Sequence, residues 1–335
     1  MTSTNVDDDV TWTARLTRWW FAPAPAERLA ALRIAVGGFA TVWLIARLPE
    51  LAAMARSPAG QLAAVGAVKL LRAPLPPGAV IAIAGATIAL LVASTLGVAY
   101  RITAPLAALG ALWTLSYRSS WGMVFHTEDL LVLHLIALAL APAADAWALG
   151  APRARGDRAK REGGWGPRRL CRWGGGQGPP WDRGAGYGWA IRLLAALTCA
   201  TYLLAGIAKL RLAGVHWLDG EQLGHQIAID HLRKALLGAA TAPLAAPLVA
   251  HPAALGLLSI AALAIELGAP LALLGGRTAR VWAAAAWAFH AGVILVMNVW
   301  FPYPLCGVAF LPLVAAERVI GAPIRWWRSR AISTA

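Results

Sequence analysis

Long apolar stretches separated by short polar segments run along most of the chain. About 20 consecutive apolar residues are needed for a helix to cross the hydrocarbon core of a bilayer. The pattern predicts eight membrane-spanning helices, at Leu29–Leu48, Ala79–Val98, Ile102–Tyr117, Leu130–Leu149, Trp189–Ala208, Ala253–Leu274, Val281–Val299 and Tyr303–Ala316. The third and eighth are short, and we expect them to be tilted or partly re-entrant. Residues 235–250 are also apolar, but Pro243 and Pro247 predict a broken or interfacial segment there.

Composition supports the same picture. Hydrophobic residues make up 59% of the 335 residues and charged residues 14%, whereas soluble domains carry about 25% charged residues. The 17 tryptophans are typical of side chains that anchor a protein at the membrane–water interface. We therefore expect an integral membrane protein and exclude a water-soluble enzyme of ordinary design. The three cysteines form no C-x-x-C pair, and no His/Cys spacing is typical of a metal site, so no metal is expected.

The distribution of basic residues predicts an orientation. The formal net charge is +14, and residues 151–187 form a Gly/Pro/Arg-rich loop. Short basic loops stay on the cytoplasmic side, which with eight helices places both termini in the cytoplasm of a bacterial-type, multi-pass protein. We predict an N-terminal tail over residues 1–20, a transmembrane domain over 21–320 and a basic tail over 321–335. Nucleic-acid binding by the basic loop is the weaker alternative, and no such partner is expected.

Lys209 is the first of several ionisable residues near the apolar stretches. It closes the fifth predicted helix, after the small residues Ala205, Gly206 and Ala208. Two interpretations fit. The lysine stem lets its ammonium reach the interface, or an apolar pocket keeps the amine uncharged, so that it acts as a general base. The small residues would let another helix or a flat ligand approach closely.

Other ionisable residues lie in or beside the predicted helices. His126 precedes the fourth helix, Glu266 lies within the sixth and His290 within the seventh. A charge at membrane depth costs a few kcal/mol, so each needs a partner or a function. Glu266 and His290 are candidates both for a functional site and for hydrogen bonding to each other, whereas His134 is expected to be a satisfied packing residue.

At these positions the chain resembles the HTTM family, the membrane domain of vitamin K-dependent gamma-carboxylase. The similarity covers about residues 25–313, and the motifs follow the order of the family. They are Leu29–Ile34 with Arg33, Tyr100-Arg101-Ile102, Ser120-Trp121 followed by His126, Thr201–Leu210 with Trp217 and Gly220, and Phe289-His290. The segment that contains Lys209 is the most specific of them.

The resemblance implies a function. In the carboxylase a lysine deprotonates reduced vitamin K, and Lys209 matches that lysine by position. His126 and His290 match histidines that assist at the active site, and Glu266 lies near an acid of the family. The resemblance thus implies a gamma-carboxylase-like lyase or quinol-dependent oxygenase, with reduced vitamin K or another quinol as cofactor and its site on the extracytoplasmic side. We expect Trp121, Trp217 and Phe289 to contact the flat ligand.

The chain also departs from the family. Ala208 occupies the place of a second lysine, and no large lumenal domain follows the last predicted helix. We therefore expect a quinone-like membrane lipid as ligand and no dedicated protein substrate. Two other functions stay open: a non-catalytic scaffold that recruits proteins or anionic lipid through the basic loop, and a transporter. The sequence shows no internal repeat of the kind that many transporters contain.

Overall fold

The structure is a computed structural model that describes residues 11–122, 128–149 and 185–321. His126, most of the predicted basic loop and most of the C-terminal tail lie outside these ranges. In the described ranges every regular element is a helix, which confirms the all-α prediction for them. The α-helices are α1 Trp12–Trp20, α2 Ala26–Met54, α3 Pro77–Leu96, α4 Tyr100–Ser119, α5 Asp129–Ala139, α6 Ala185–Ala213, α7 Glu221–Leu236, α8 Ala245–Val249, α9 Pro252–Leu267, α10 Gly276–Met297 and α11 Pro302–Leu305.

Four helical segments among the described residues are long and apolar enough to cross a membrane. They are α2, α3, residues 186–217, which comprise most of α6 and the turn after it, and α10. A helix rises 1.5 Å per residue, so the 20 residues of α3 extend about 30 Å, the thickness of the hydrocarbon core. Helix α4 also has 20 residues but is less apolar, and α5 and α9 are shorter apolar helices.

Prolines end three of the predicted spans early. The fourth stops at Ala139, ahead of Pro142, and continues as turns. The sixth stops at Leu267, because Pro270 has no N–H to bond the carbonyl of Glu266 and its ring clashes with that carbonyl. The eighth, which contains Pro304 and Pro312, forms only α11 and a 3₁₀ turn over Val308–Leu313.

Small residues set the packing of α2, α3 and α4. A Cβ added to Gly37 of α2 would lie 2.2 Å from the Thr95 hydroxyl of α3, and one added to Gly110 of α4 would lie 2.5 Å from the Thr87 hydroxyl. Without a side chain at these glycines the helix backbones approach closely, as is common in membrane bundles. The largest buried apolar cluster involves α2–α6 and includes Leu29, Leu32, Val36, Tyr117, Leu131 and Leu194.

Two buried arginines have polar partners beside this first cluster. Arg33 is 2% exposed and donates to the backbone carbonyls of Ser94, in the last turn of α3, and Trp147. A cation near the C-terminus of a helix is favoured by the helix dipole. Arg118 donates to Glu128 at 2.8 Å. Glu128 therefore has a buried ion-pair partner, in addition to its place next to the first residue of α5.

His134 is fully buried in α5. Its Nδ1 lies 2.7 Å from the Tyr303 hydroxyl and its Nε2 lies 3.1 Å from the Leu194 carbonyl and 3.2 Å from the Thr198 hydroxyl. Both ring nitrogens thus have partners. The prediction of a satisfied packing histidine is confirmed.

A polar helix, α7, covers the end of α10. Lys234 donates to Asp230 at 2.7 Å and also to the carbonyl of Met297, the last residue of α10. Arg233 donates to the same carboxylate at 2.9 Å. Partial burial on its own would raise the pKa of Asp230, but the hydrogen bonds from Lys234 and Arg233 outweigh it and hold the pKa below its usual range.

Candidate functional site

The site begins where α6 contacts α9. A Cβ added to Gly206 would lie 2.9 Å from the Leu267 side chain and 3.0 Å from the Cβ of Glu266. Glycine at this position therefore lets α9 come close to α6. Lys209 lies one turn further along α6, on the same face. The close approach brings its amine to the Glu266 carboxylate.

Lys209 and Glu266 form an ion pair between Nζ and Oε1. The Glu266 side chain is 4% exposed, whereas the Lys209 side chain is 24% exposed. The second carboxylate oxygen, Oε2 of Glu266, is buried and has no hydrogen-bond partner among the described residues. The carboxylate therefore keeps an acceptor that can bind a hydroxyl group.

Trp217 lies beside the amine. It ends a 3₁₀ turn over Gly214–Trp217 and is 4% exposed. Nζ of Lys209 lies 5.3 Å from the centre of the Trp217 ring, within the range of a cation–π interaction. Gly220 holds this turn against α9: its φ is +84°, and a Cβ there would lie 2.3 Å from the backbone nitrogen of Gly256.

A second group of polar side chains lies along the same face of α6. The Tyr202 hydroxyl lies 2.7 Å from Nε2 of His290, and both side chains are buried. Nδ1 of His290 is buried without a hydrogen-bond partner in the described ranges. His290 thus bonds Tyr202, whereas the sequence analysis considered Glu266 as its direct partner.

Aromatic rings surround His290. Its ring centre lies 5.2 Å from that of Phe289 and 4.9 Å from that of Phe301. On the other side, Tyr202 packs edge-on against Trp282, with ring centres 5.0 Å apart. Phe310 and Cys199 belong to the same buried cluster. The surroundings of Tyr202 and His290 are therefore apolar and largely aromatic.

The structure brings some of the predicted site residues together and places others elsewhere. Lys209 contacts both Glu266 and Trp217, and His290 bonds Tyr202, which lies on the same face of α6 as Lys209. Phe289 contacts His290. Trp121 packs edge-on against Tyr117, with ring centres 5.8 Å apart, beside the first buried cluster. His126 lies outside the described residues.

Tyr202 belonged to a predicted motif but was not assigned a role in the site, whereas Gly206 was expected to let another helix approach, as α9 does. They precede Lys209 by seven and three residues, and this spacing places all three on one face of a helix. That periodicity was the available signal. It was obscured because the other face of the same segment, with Leu203, Leu204 and Ile207, is equally apolar in sequence.

The ion pair also changes the expected state of the amine. The sequence analysis allowed an amine kept uncharged by apolar surroundings, whereas the structure gives Lys209 a carboxylate partner. A neighbouring carboxylate favours the ammonium form. The chemical unit is therefore the pair and not the lysine alone.

Comparisons with known proteins add no relative to this description. No protein-family model, curated protein or solved structure matches the chain. The resemblance to the HTTM family therefore stays a prediction based on the motifs.

Proposed function

We propose that this chain is a multi-pass membrane protein that binds a quinone-like lipid beside Lys209 and removes a proton from its hydroxyl group. The observation that carries the proposal is the Lys209–Glu266 pair, in which a buried carboxylate oxygen has no described partner. Resemblance to the vitamin K-dependent family favours a quinol as the ligand. The flat apolar rings next to the pair support the same class.

The arrangement of charges supports the proposed membrane orientation. Arg28 near the start of α2, Arg192 in the second turn of α6 and Arg280 near the start of α10 lie around one cavity. These helices therefore begin at the same end of the molecule. If that end is cytoplasmic, as the positive-inside rule favours, the opposite end of α6 carries Lys209 on the extracytoplasmic side.

Proton transfer can proceed without creating an unpaired charge. A proton moves from Nζ of Lys209 to Glu266, and the neutral amine then takes the hydroxyl proton of the ligand. The products are a neutral Glu266 carboxyl, a Lys209 ammonium and an oxyanion on the ligand. One ion pair exists before the transfer and one after it, because the ammonium exchanges its carboxylate partner for the oxyanion. The large cost of an isolated charge in an apolar site is avoided.

Tyr202 and His290 have a positioning role in this proposal. The Tyr202 hydroxyl and Nε2 of His290 already share a hydrogen bond. Nδ1 of His290 is then the ring nitrogen that is free to bond a second oxygen of the ligand. A quinol carries its two oxygens at opposite ends of a ring, so two polar contacts fix its orientation.

Binding is tested with phylloquinone and the full chain in lipid nanodiscs, by quenching of tryptophan fluorescence. We expect saturable quenching that weakens at least about tenfold in Lys209→Met, which corresponds to about 1.4 kcal/mol. Lys69→Met is the matched control, because Lys69 is exposed and lies far along the chain from the site. Equal quenching in wild type and Lys209→Met would refute the assigned site.

Deprotonation is tested with reduced phylloquinone under anaerobic conditions. The absorbance of a quinol changes when it loses a proton, so the pH at which the bound quinol ionises can be measured directly. We expect ionisation at lower pH in the wild type than in Lys209→Met, compared at saturating quinol, because the variant lacks the ammonium that stabilises the oxyanion. Identical ionisation curves, with binding preserved, would leave a quinone-binding scaffold as the function.

A further inference from the structure

A separate cavity lies at the other end of α6. It has a volume of about 600 Å³, within the range of about 300–1,000 Å³ that is usual for ligand sites. Arg192, which lines it, precedes Lys209 by 17 residues, or about 26 Å along the helix. The cavity is therefore distinct from the proposed quinol site.

The lining is strongly cationic. Arg28, Arg192, Arg280 and Arg318 contribute to it, and no carboxylate does among the described residues. Only the charge of Arg28 is matched by an ion pair in the described ranges: two hydrogen bonds of 2.9 Å join it to Glu317.

The other guanidinium groups have no described ion-pair partner. Arg192 donates to the carbonyls of Ala22 and Gly188, and Arg280 donates to the carbonyl of Gly276. Carbonyls satisfy donors but do not neutralise a charge. Arg318 is exposed at the rim. Three cations around one cavity thus repel each other, and an anion between them would relieve the repulsion.

Helix α1, which lies beside the cavity, has the residue pattern of a helix at the membrane interface. Its apolar residues Trp12, Leu16, Trp19 and Trp20 follow the i, i+4, i+7, i+8 spacing of one helix face. Trp12 is 74% and Leu16 51% exposed, and Arg18 lies off this face. Such a helix is typical of the membrane interface. Trp19 lines the cavity, and its ring lies 5.3 Å from the Arg192 guanidinium carbon.

We propose that this cavity binds the phosphate group of an anionic lipid headgroup. Arginine binds phosphate through paired, charge-assisted hydrogen bonds, and basic pockets between membrane helices bind lipid headgroups. The apolar lining from Ile191, Leu273 and Pro312 provides contacts for the glycerol end of a lipid. The membrane placement is the one proposed above, but the site does not depend on the chemistry at Lys209.

The test is calorimetric titration of the full chain in maltoside micelles with dihexanoyl phosphatidylglycerol. We expect saturable binding, at least about tenfold tighter than that of the zwitterionic dihexanoyl phosphatidylcholine. The variant Arg192→Gln/Arg280→Gln should lose at least about tenfold in affinity. The matched control Arg56→Gln/Arg72→Gln removes two exposed arginines elsewhere and should bind as the wild type does.

Inorganic phosphate distinguishes the two sources of the anion. Phosphatidylglycerol binding much tighter than phosphate supports a lipid headgroup. Phosphate binding of equal strength, lost in the Arg192→Gln/Arg280→Gln variant, supports a phosphate site but overturns the lipid assignment. Unchanged phosphatidylglycerol affinity in that variant overturns the site.

A second variant keeps the test decisive if the double variant does not fold. Arg318 is exposed and makes no described ion pair, so Arg318→Gln should fold normally and weaken binding several-fold. The outcome is also separable from the quinol proposal. Lys209→Met should retain phosphatidylglycerol binding, and Arg318→Gln should retain phylloquinone quenching.

Discussion

The two members of the Lys209–Glu266 pair differ in burial, and this predicts unequal costs for removing each of them. Removing one partner of a buried ion pair costs about 3–5 kcal/mol, because an uncompensated charge remains. In Lys209→Met the remaining charge is on a side chain that is only 4% exposed. We therefore expect Lys209→Met to lower the free energy of unfolding by the full amount, about 3–5 kcal/mol.

Glu266→Gln should cost less. The lysine that remains is 24% exposed, and its flexible stem lets the ammonium reach water or headgroups. We expect a loss of about 1–2 kcal/mol, between the values for exposed and buried pairs. The double variant Lys209→Met/Glu266→Gln leaves no buried charge, so it should lie within about 2 kcal/mol of the wild type and above Lys209→Met.

The assay is reversible unfolding of the full chain in mixed detergent micelles with increasing dodecyl sulfate, followed by helical circular dichroism. The measurement is repeated from about pH 7 to about pH 5, where carboxyl groups begin to protonate. The deficit of Lys209→Met relative to the wild type should shrink as the pH falls, because protonation neutralises the unpaired Glu266. Equal costs for the two single variants, or a double variant as unstable as Lys209→Met, would refute this reasoning.

Three further predictions concern packing and charge outside the pair. Gly206→Ala should lower the free energy of unfolding by about 1–3 kcal/mol, because the added Cβ would meet α9. Gly292 has open space around it, so Gly292→Ala should leave the free energy of unfolding unchanged. Unfolding in dodecyl sulfate compares the two variants. Arg33→Met should cost about 1–3 kcal/mol, because the partly buried Trp147 carbonyl loses its guanidinium donor. Exposed Arg101→Met is the neutral control in the same assay. The pKa of Asp230 is lowered in the folded state, so the ionised carboxylate stabilises the fold above the ordinary carboxyl pKa, and this stabilisation is lost as the pH falls through the folded value. The Tm difference between wild type and Asp230→Asn should therefore vanish in acid. A difference that stays constant with pH would contradict the ion pair.

Much of the fold follows from apolar content and length. Stretches of about 20 apolar residues can satisfy their backbone groups in a membrane only as helices or closed barrels, and α2, α3, α6 and α10 occur where the sequence predicts helices. The ends of other helices were harder to predict from the sequence. A measure of apolar content ignores the fact that proline lacks a backbone N–H. The predicted spans at 253–274 and 303–316 therefore continued through Pro270 and Pro312, where the structure has 3₁₀ turns.

The candidate residues of the site were also recognisable one by one. Lys209, Glu266 and His290 are conspicuous because a charged or titratable group in an apolar stretch needs a reason to be there. Which of them interact was not recognisable. The sequence analysis considered Glu266 and His290 as partners, whereas the structure joins Glu266 to Lys209 and His290 to Tyr202.

The sequence by itself thus determined that the described chain is helical and which ionisable residues lie near the apolar stretches. Tertiary structure alone decided the pairing, because Lys209 and Glu266 are 57 residues apart and meet only where Gly206 lets α9 approach α6. It also decided that four arginines from separate segments surround one cavity. Helix formation depends on local composition, whereas contacts between helices depend on which faces fit together, and that information is shared between distant parts of the chain.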